Sequence, residues 1–195
     1  DEPAHPHALK VISEGYLKVG RRADGIAALT SLAALQPQDL EVGRRLTMVR
    51  VEAEGYSSVF EELRARVAGE AILPRDLYLL GVLKSLNPKE RKGARALFLG
   101  AEEEVPQDIA LQMALIGEEQ AAGEGAAARQ RLAALLQENP NNLWLVLRLA
   151  EVERGLGRLG EALGIYQGLL SGPMWAQAKV GVLHCLLDQG LGEEA

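Results

Sequence analysis

One pattern of residues returns along this chain at an interval of about 34, and that period restricts the fold more than any other feature. In the segment Gly93–Asp108, Ala94, Phe98, Ala101 and Pro106 follow one another as small, large, small and breaker. One period later the same slots hold Ala128, Leu132, Leu135 and Pro140, and another brings Ala162, Tyr166 and Leu169, with Pro173-Met174 at the end. In the other direction Val59 and Leu63 occupy the first two slots, and before them Gly25, Leu29, Leu32 and Pro37. A glycine recurs ahead of the pattern, as Gly20, Gly55, Gly123, Gly157 and Gly190. The frames run over about 6–39, 40–74, 75–108, 109–142 and 143–176, followed by a partial frame 177–195. The expectation is a single solenoid over residues 1–195.

Each frame reads as two helices. In 143–157, Leu145, Leu149 and Val152 lie at helical spacing, which makes one apolar stripe. Gly155 and Gly157 break it, and a second stripe follows with Leu163, Tyr166, Leu169 and Leu170. Glycine suits the turn because a helix end often needs a left-handed residue, which strains any residue with a β-carbon. Proline ends the second helix, having no amide hydrogen and crowding the turn before it. The small slot lets two helices approach, and the large slot fills the space beside it. No strand-like alternation of any length occurs, so the predicted fold class is all-α.

These residues resemble the tetratricopeptide repeat, a helix–turn–helix unit of about 34 residues with small, large, small and proline positions in its second helix. Frame 75–108 matches all four, and the first frame supplies the family's first-helix tyrosine as Tyr16 and its loop glycine as Gly20. Arg50, Ser85, Glu119 and Glu153 replace that tyrosine in later frames, Asn87-Pro88 occupies the third turn, and frame 40–74 carries one extra residue near its AILPRD connection. The resemblance implies a right-handed superhelix of antiparallel helix pairs, whose first helices line a concave side. Pentatricopeptide repeats have a similar period but read RNA and bring a basic groove; Sel1-like repeats carry extra glycines and alanines in fixed places that are not found.

Charge and composition exclude several functions. With 21 Lys and Arg against 27 Asp and Glu, the net charge is −6, the wrong sign for a nucleic-acid binder. Aromatics are 4%, too few to build base- or sugar-stacking platforms. No apolar run reaches the roughly 18 residues of a membrane span. Cys185 is the single cysteine, so an internal disulfide is impossible. His5 and His7 flank Pro6 without a third ligand nearby and read as a frayed terminus. His184 adjoins Cys185, but helix neighbours point about 100° apart, and the pair reads as packing. The runs Glu102–Glu104 and Glu118-Glu119 read as solvated faces. Lys89, Arg91, Lys92 and Arg95 read as one end of a charge-balanced helix. The stretch around Gly123 and Gly125 has no Gly-Lys-Ser/Thr and no preceding strand, so it is not a phosphate loop. No cofactor, no metal and no catalysis are expected.

A protein or peptide partner is expected instead. The first helices would present His7, Lys10, Glu14 and Lys18, then Glu41, Arg44, Met48 and Val51, then Asp76, Leu79, Leu83 and Leu86. Met113 and Gln120 come next, then Trp144, Leu147, Glu151 and Arg154. The candidate groove residues are Arg44, Met48, Leu79, Leu83, Met113, Trp144, Leu147 and Glu151, charged at one end and apolar from the third frame on. An apolar stripe rimmed with charge suits a peptide or helix; the competing reading makes Leu79, Leu83 and Leu147 core between repeats. The carboxylate clamp of some co-chaperones is not expected, because Glu14 stands where its asparagine belongs and Leu79 where a cation would help. The alternative function is a self-assembling scaffold in a bacterial envelope assembly or polysaccharide-secretion system, in periplasm or cytoplasm. The chain starts at Asp1 without a signal-like segment and reads as a piece of a longer protein. Val180, Leu183 and Leu187 form an apolar stripe in the last frame. Either the protein continues past Ala195 or another copy covers that stripe, a homo-oligomer through the C-terminal repeat.

Overall fold

A computed structural model describes residues 5–190, and among them every regular element is an α-helix. The all-α fold class and the helix-pair construction follow the period. The chain divides into two compact units, one up to Ala114 and one from Leu115.

The first unit holds α1 (Pro6–Lys18), α2 (Arg22–Leu35), α3 (Leu40–Glu54), α4 (Tyr56–Val67), α5 (Pro74–Leu86), α6 (Ala94–Glu102) and the start of α7 (Ile109–Ala121). Consecutive helices pack from α1 to α6 in antiparallel pairs, and α3 also touches α5, so first helices of successive pairs stack. The second unit continues α7 and adds α8 (Gly125–Glu138), α9 (Leu143–Gly155), α10 (Leu159–Leu169) and α11 (Trp175–Asp188). Here α8 packs on α9, α9 on α10, α10 on α11, and α9 again on α11.

The repeated slots are the core. Ala94, Ala128 and Ala162 are fully buried, as are Leu29, Leu63, Phe98 and Leu132 to within 1%. In the second unit Ala162 and Tyr166 pack with Leu147, Ala150, Ala178 and Cys185. In the first, Leu9 packs with Ala28, Leu29 and Leu32. Removing such side chains from water at about 25 cal/mol per Å2 is what orders helices too short to persist alone.

The third frame departs from the period for a local reason. Proline pushes the residue before it out of the helical region, and Asn87 is indeed extended (φ −106°, ψ 112°), so α5 stops at Leu86. The connection then runs to Gly93, whose φ of 93° admits glycine. This is the turn glycine that simple periodic counting misses. The basic residues Lys89, Arg91 and Lys92 therefore lie in this connection, and only Arg95 is on α6, which corrects the expectation of one helical cluster.

The slot that holds Tyr16 in the first frame carries paired charge in three later ones, while Ser85 donates to the Val82 carbonyl at 2.9 Å. Tyr16 carries the Arg21 guanidinium 4.6 Å from its ring centre. Arg50 on α3 binds Glu62 on α4 at 2.6 Å, and also Glu54 at 2.8 Å. Glu119 on α7 binds Arg131 on α8 at 3.0 Å. Glu153 on α9 binds Arg129 at 2.5 Å and Arg158 at 3.5 Å. Glu119 is 3% exposed, not on a solvated face as its acidic neighbour suggested, because this slot points between helices. Arg50 holds Glu62 and Glu54 below the ordinary carboxylate value by hydrogen bonding.

Candidate functional site

The second unit carries a cleft of about 560 Å3. One wall is a face of α9, where Leu147, Glu151 and Arg154 follow at three- and four-residue spacing. The other is α11, through Gln177, Val180 and His184. The two helices come together over Tyr166 of α10, because Gly181 sits on that ring and a β-carbon there would collide with it. Burial pushes the Tyr166 phenol above its usual range.

The cleft has an apolar floor and polar sides. Leu147 forms the floor at 6% exposure, while Val180 stands 53% exposed. Arg154 is tied to Asp188 at 2.8 Å across the helix pair, which raises its pKa further and keeps it charged. Its Nε is buried and donates to no acceptor among the described residues. Glu151 pairs with Arg148 on the same helix. Trp144 lies one turn before Leu147 and Arg148 on this face, 42% exposed.

Nothing in the cleft forms a nucleophile–base pair. Cys185 is fully buried and burial raises its thiol pKa, so it is held as an unreactive thiol, while neighbouring His184 points outward. His5 accepts a hydrogen bond from the His7 amide and caps α1. No group of three or more His, Cys, Asp or Glu among the described residues is placed to hold a metal. No helix among them is long and apolar enough to cross a membrane.

The candidate groove residues fall into both units. Trp144, Leu147 and Glu151 come together on α9 in the second. In the first, Arg44 is bound to Glu41 at 2.6 Å, and Met48 is half-buried, as is Met113 on α7. Leu79 and Leu83 are 3% and 0% exposed, so both are packing residues with no surface to offer a partner. Leu147 likewise supplies a floor and little accessible surface. The α11 wall is what sequence reasoning missed, although the signal was there. Moving Trp144, Leu147 and Glu151 forward by about one period gives Gln177, Val180 and His184.

Residues 120–172 match the model of the tetratricopeptide repeat family. The fold is similar to that of a tetratricopeptide-repeat protein of Thermus thermophilus, at 20% identity over 94% of this chain and 100% of that one, with a TM-score of 0.66. It is also similar to such a protein from Parabacteroides merdae, at 14% identity over 98% and 75% of the two chains and a TM-score of 0.65. The Pseudomonas aeruginosa protein PilF shares it at 17% identity over 97% and 87%, with a TM-score of 0.61. No curated protein matches the sequence.

Proposed function

We infer the function from the premise that this chain has the tetratricopeptide-repeat fold, with residues 120–172 matching that family. Proteins of this fold are in general interaction scaffolds without catalysis. In our reading the chain is such a scaffold, and its α9–α11 cleft takes a peptide or helix of another protein. The observation that carries the reading is the juxtaposition in one cleft of an apolar floor, Leu147, an exposed Val180 and the charged side chains of Glu151 and Arg154. Val180 offers apolar area in the cleft, and Trp144 offers more on the same face of α9, one turn before Leu147.

A displayed peptide library selected against the 195-residue chain, with affinities measured by fluorescence anisotropy, tests this. Micromolar binders are expected, and Trp144→Ala or Val180→Asp should weaken them at least tenfold, since exposed aromatic anchors often contribute about 2 kcal/mol. Both side chains are exposed, so the fold survives their loss. Binders indifferent to both substitutions would place recognition elsewhere and end this reading.

A further inference from the structure

We propose that a cleft in the first unit, walled by α2, α3, α4 and α5, is a second binding site and takes an aliphatic carboxylate. The cleft has a volume of about 400 Å3. Its charged lining is three guanidiniums, Arg50, Arg66 and Arg75, against one carboxylate, Glu62. In a chain of net charge −6 that is a local surplus of the opposite sign. Two of the three guanidiniums are already matched. Arg50 binds Glu62 at 2.6 Å and Glu54 at 2.8 Å, and Arg66 lies 3.2 Å from Glu62 and 3.3 Å from the buried Asp76. Glu54 and Asp76 act from outside the lining. Arg75 pairs with no carboxylate among the described residues, where its Nη1 donates to the Pro37 carbonyl at 3.3 Å.

Packing holds Arg75 in place. Its stem lies across Gly43 of α3, where a β-carbon would come within 3.2 Å of Arg75 Cδ. A side chain fixed in this way loses little freedom when it binds. One turn further along α3 the lining holds Thr47, which is 6% exposed. Its hydroxyl finds no hydrogen-bond partner among the described residues, whereas that of Thr30 on α2 donates to the Ile26 carbonyl at 2.8 Å. A buried hydroxyl without a partner is costly, and the oxygen of a bound anion supplies one. The rest of the lining is mainly aliphatic, with Ile26, Ala33, Leu46 and Leu79. A guanidinium fork matches a planar carboxylate through two parallel hydrogen bonds. Only Arg75 lacks a carboxylate, so the cleft calls for one negative charge, which a phosphate of charge near −2 exceeds. The aliphatic lining calls for a short hydrocarbon body on that carboxylate. This cleft shares no residue with the α9–α11 cleft, so the proposal is independent of peptide binding there.

Amide-shift titrations of the 15N-labelled 195-residue chain with isocaproate, its neutral amide and inorganic phosphate test the site. Isocaproate should move the amides of Gly43, Thr47 and Arg75 together, with a dissociation constant of about 1 mM or tighter. The neutral amide and phosphate should bind there at least about tenfold more weakly. Arg75→Met keeps the stem, removes the charge and should weaken isocaproate by about tenfold or more, while Thr47→Val should weaken it roughly fivefold. Arg75→Lys keeps the charge without the fork; it serves where Arg75→Met fails to fold, and should also weaken binding. Arg64→Met, an arginine of the same unit outside this lining, should leave binding unchanged. N-acetylleucine distinguishes the two sources of such a carboxylate. Binding tighter than isocaproate identifies the end of a polypeptide, weaker binding a free acid, and both sustain the site. No shift of these amides well above that concentration overturns the proposal. So does equal binding of the neutral amide or of phosphate, or equal binding of isocaproate to the folded Arg75→Met variant, since each means that Arg75 recognises no carboxylate. Selected peptides should bind the α9–α11 cleft of Arg75→Met as before, so the two readings fail separately.

Discussion

At the scale of single residues, the period sorts positions that share a residue type into different environments. The chain has 21 glycines, and they do unlike work. Gly81 lies where a β-carbon would be 2.5 Å from Phe98 Cε1, and Gly181 is pressed as closely on Tyr166. Gly164, inside α10, has nothing within 4 Å of the same position. Gly181→Ala should therefore lower stability by about 1–3 kcal/mol, the usual penalty of overpacking. Gly164→Ala should raise it by up to about 1 kcal/mol through helix propensity. Urea midpoints of the two variants measure both, and equal shifts would show that the α10–α11 contact is misplaced. The small and large slots were readable because an alanine repeated one turn before a bulky residue has one explanation. The glycines under Phe98 and Tyr166 were not, because their reason lies on another helix.

At the scale of the helix pair, three of the four lost tyrosines are replaced by ion pairs, and these do not share one polarity. Arg50 and Glu62 join α3 to α4 with a separation of 12 residues. Glu119 and Arg131 join α7 to α8 with the same separation and the opposite order. Burying one charge without its partner is strongly unfavourable, at roughly 3–5 kcal/mol. Arg131→Leu should accordingly lower stability by about 3 kcal/mol, because Glu119 would be left unpaired between helices. The exchange Glu119→Arg with Arg131→Glu should recover at least half of that, since α3 and α4 already hold the pair in that order. Urea midpoints of the single and double variants measure both. A double variant no better than the single one would show that the pair's surroundings, and not its geometry, fix its polarity. The sequence showed tyrosine missing from this slot, but the compensating residue sits on the other helix, beyond any pattern of neighbours. The third connection was legible in Asn87-Pro88 and its consequence was not. A late start for α6 depends on how many residues the turn to Gly93 consumes.

At the scale of the whole molecule, the net charge of −6 is the wrong sign for attracting phosphates. Most of the described helices could be placed by counting alone because packing obeys the period. The site was legible only in part: counting put Trp144, Leu147 and Glu151 on one face but could not tell floor from rim. Leu83 and Trp144 both read as anchors, yet one is fully buried and the other 42% exposed, a difference set by the depth of the neighbouring helices. The account's central claim is that the concave α9–α11 surface of this scaffold receives a partner's chain. Amide chemical-shift mapping of the 15N-labelled protein with a selected peptide measures it directly. The account predicts shifts concentrated in Trp144–Arg154 and Gln177–His184, saturating together with one affinity. Shifts confined to the outward sides of α8 and α10, with those two segments unmoved at saturation, would contradict it.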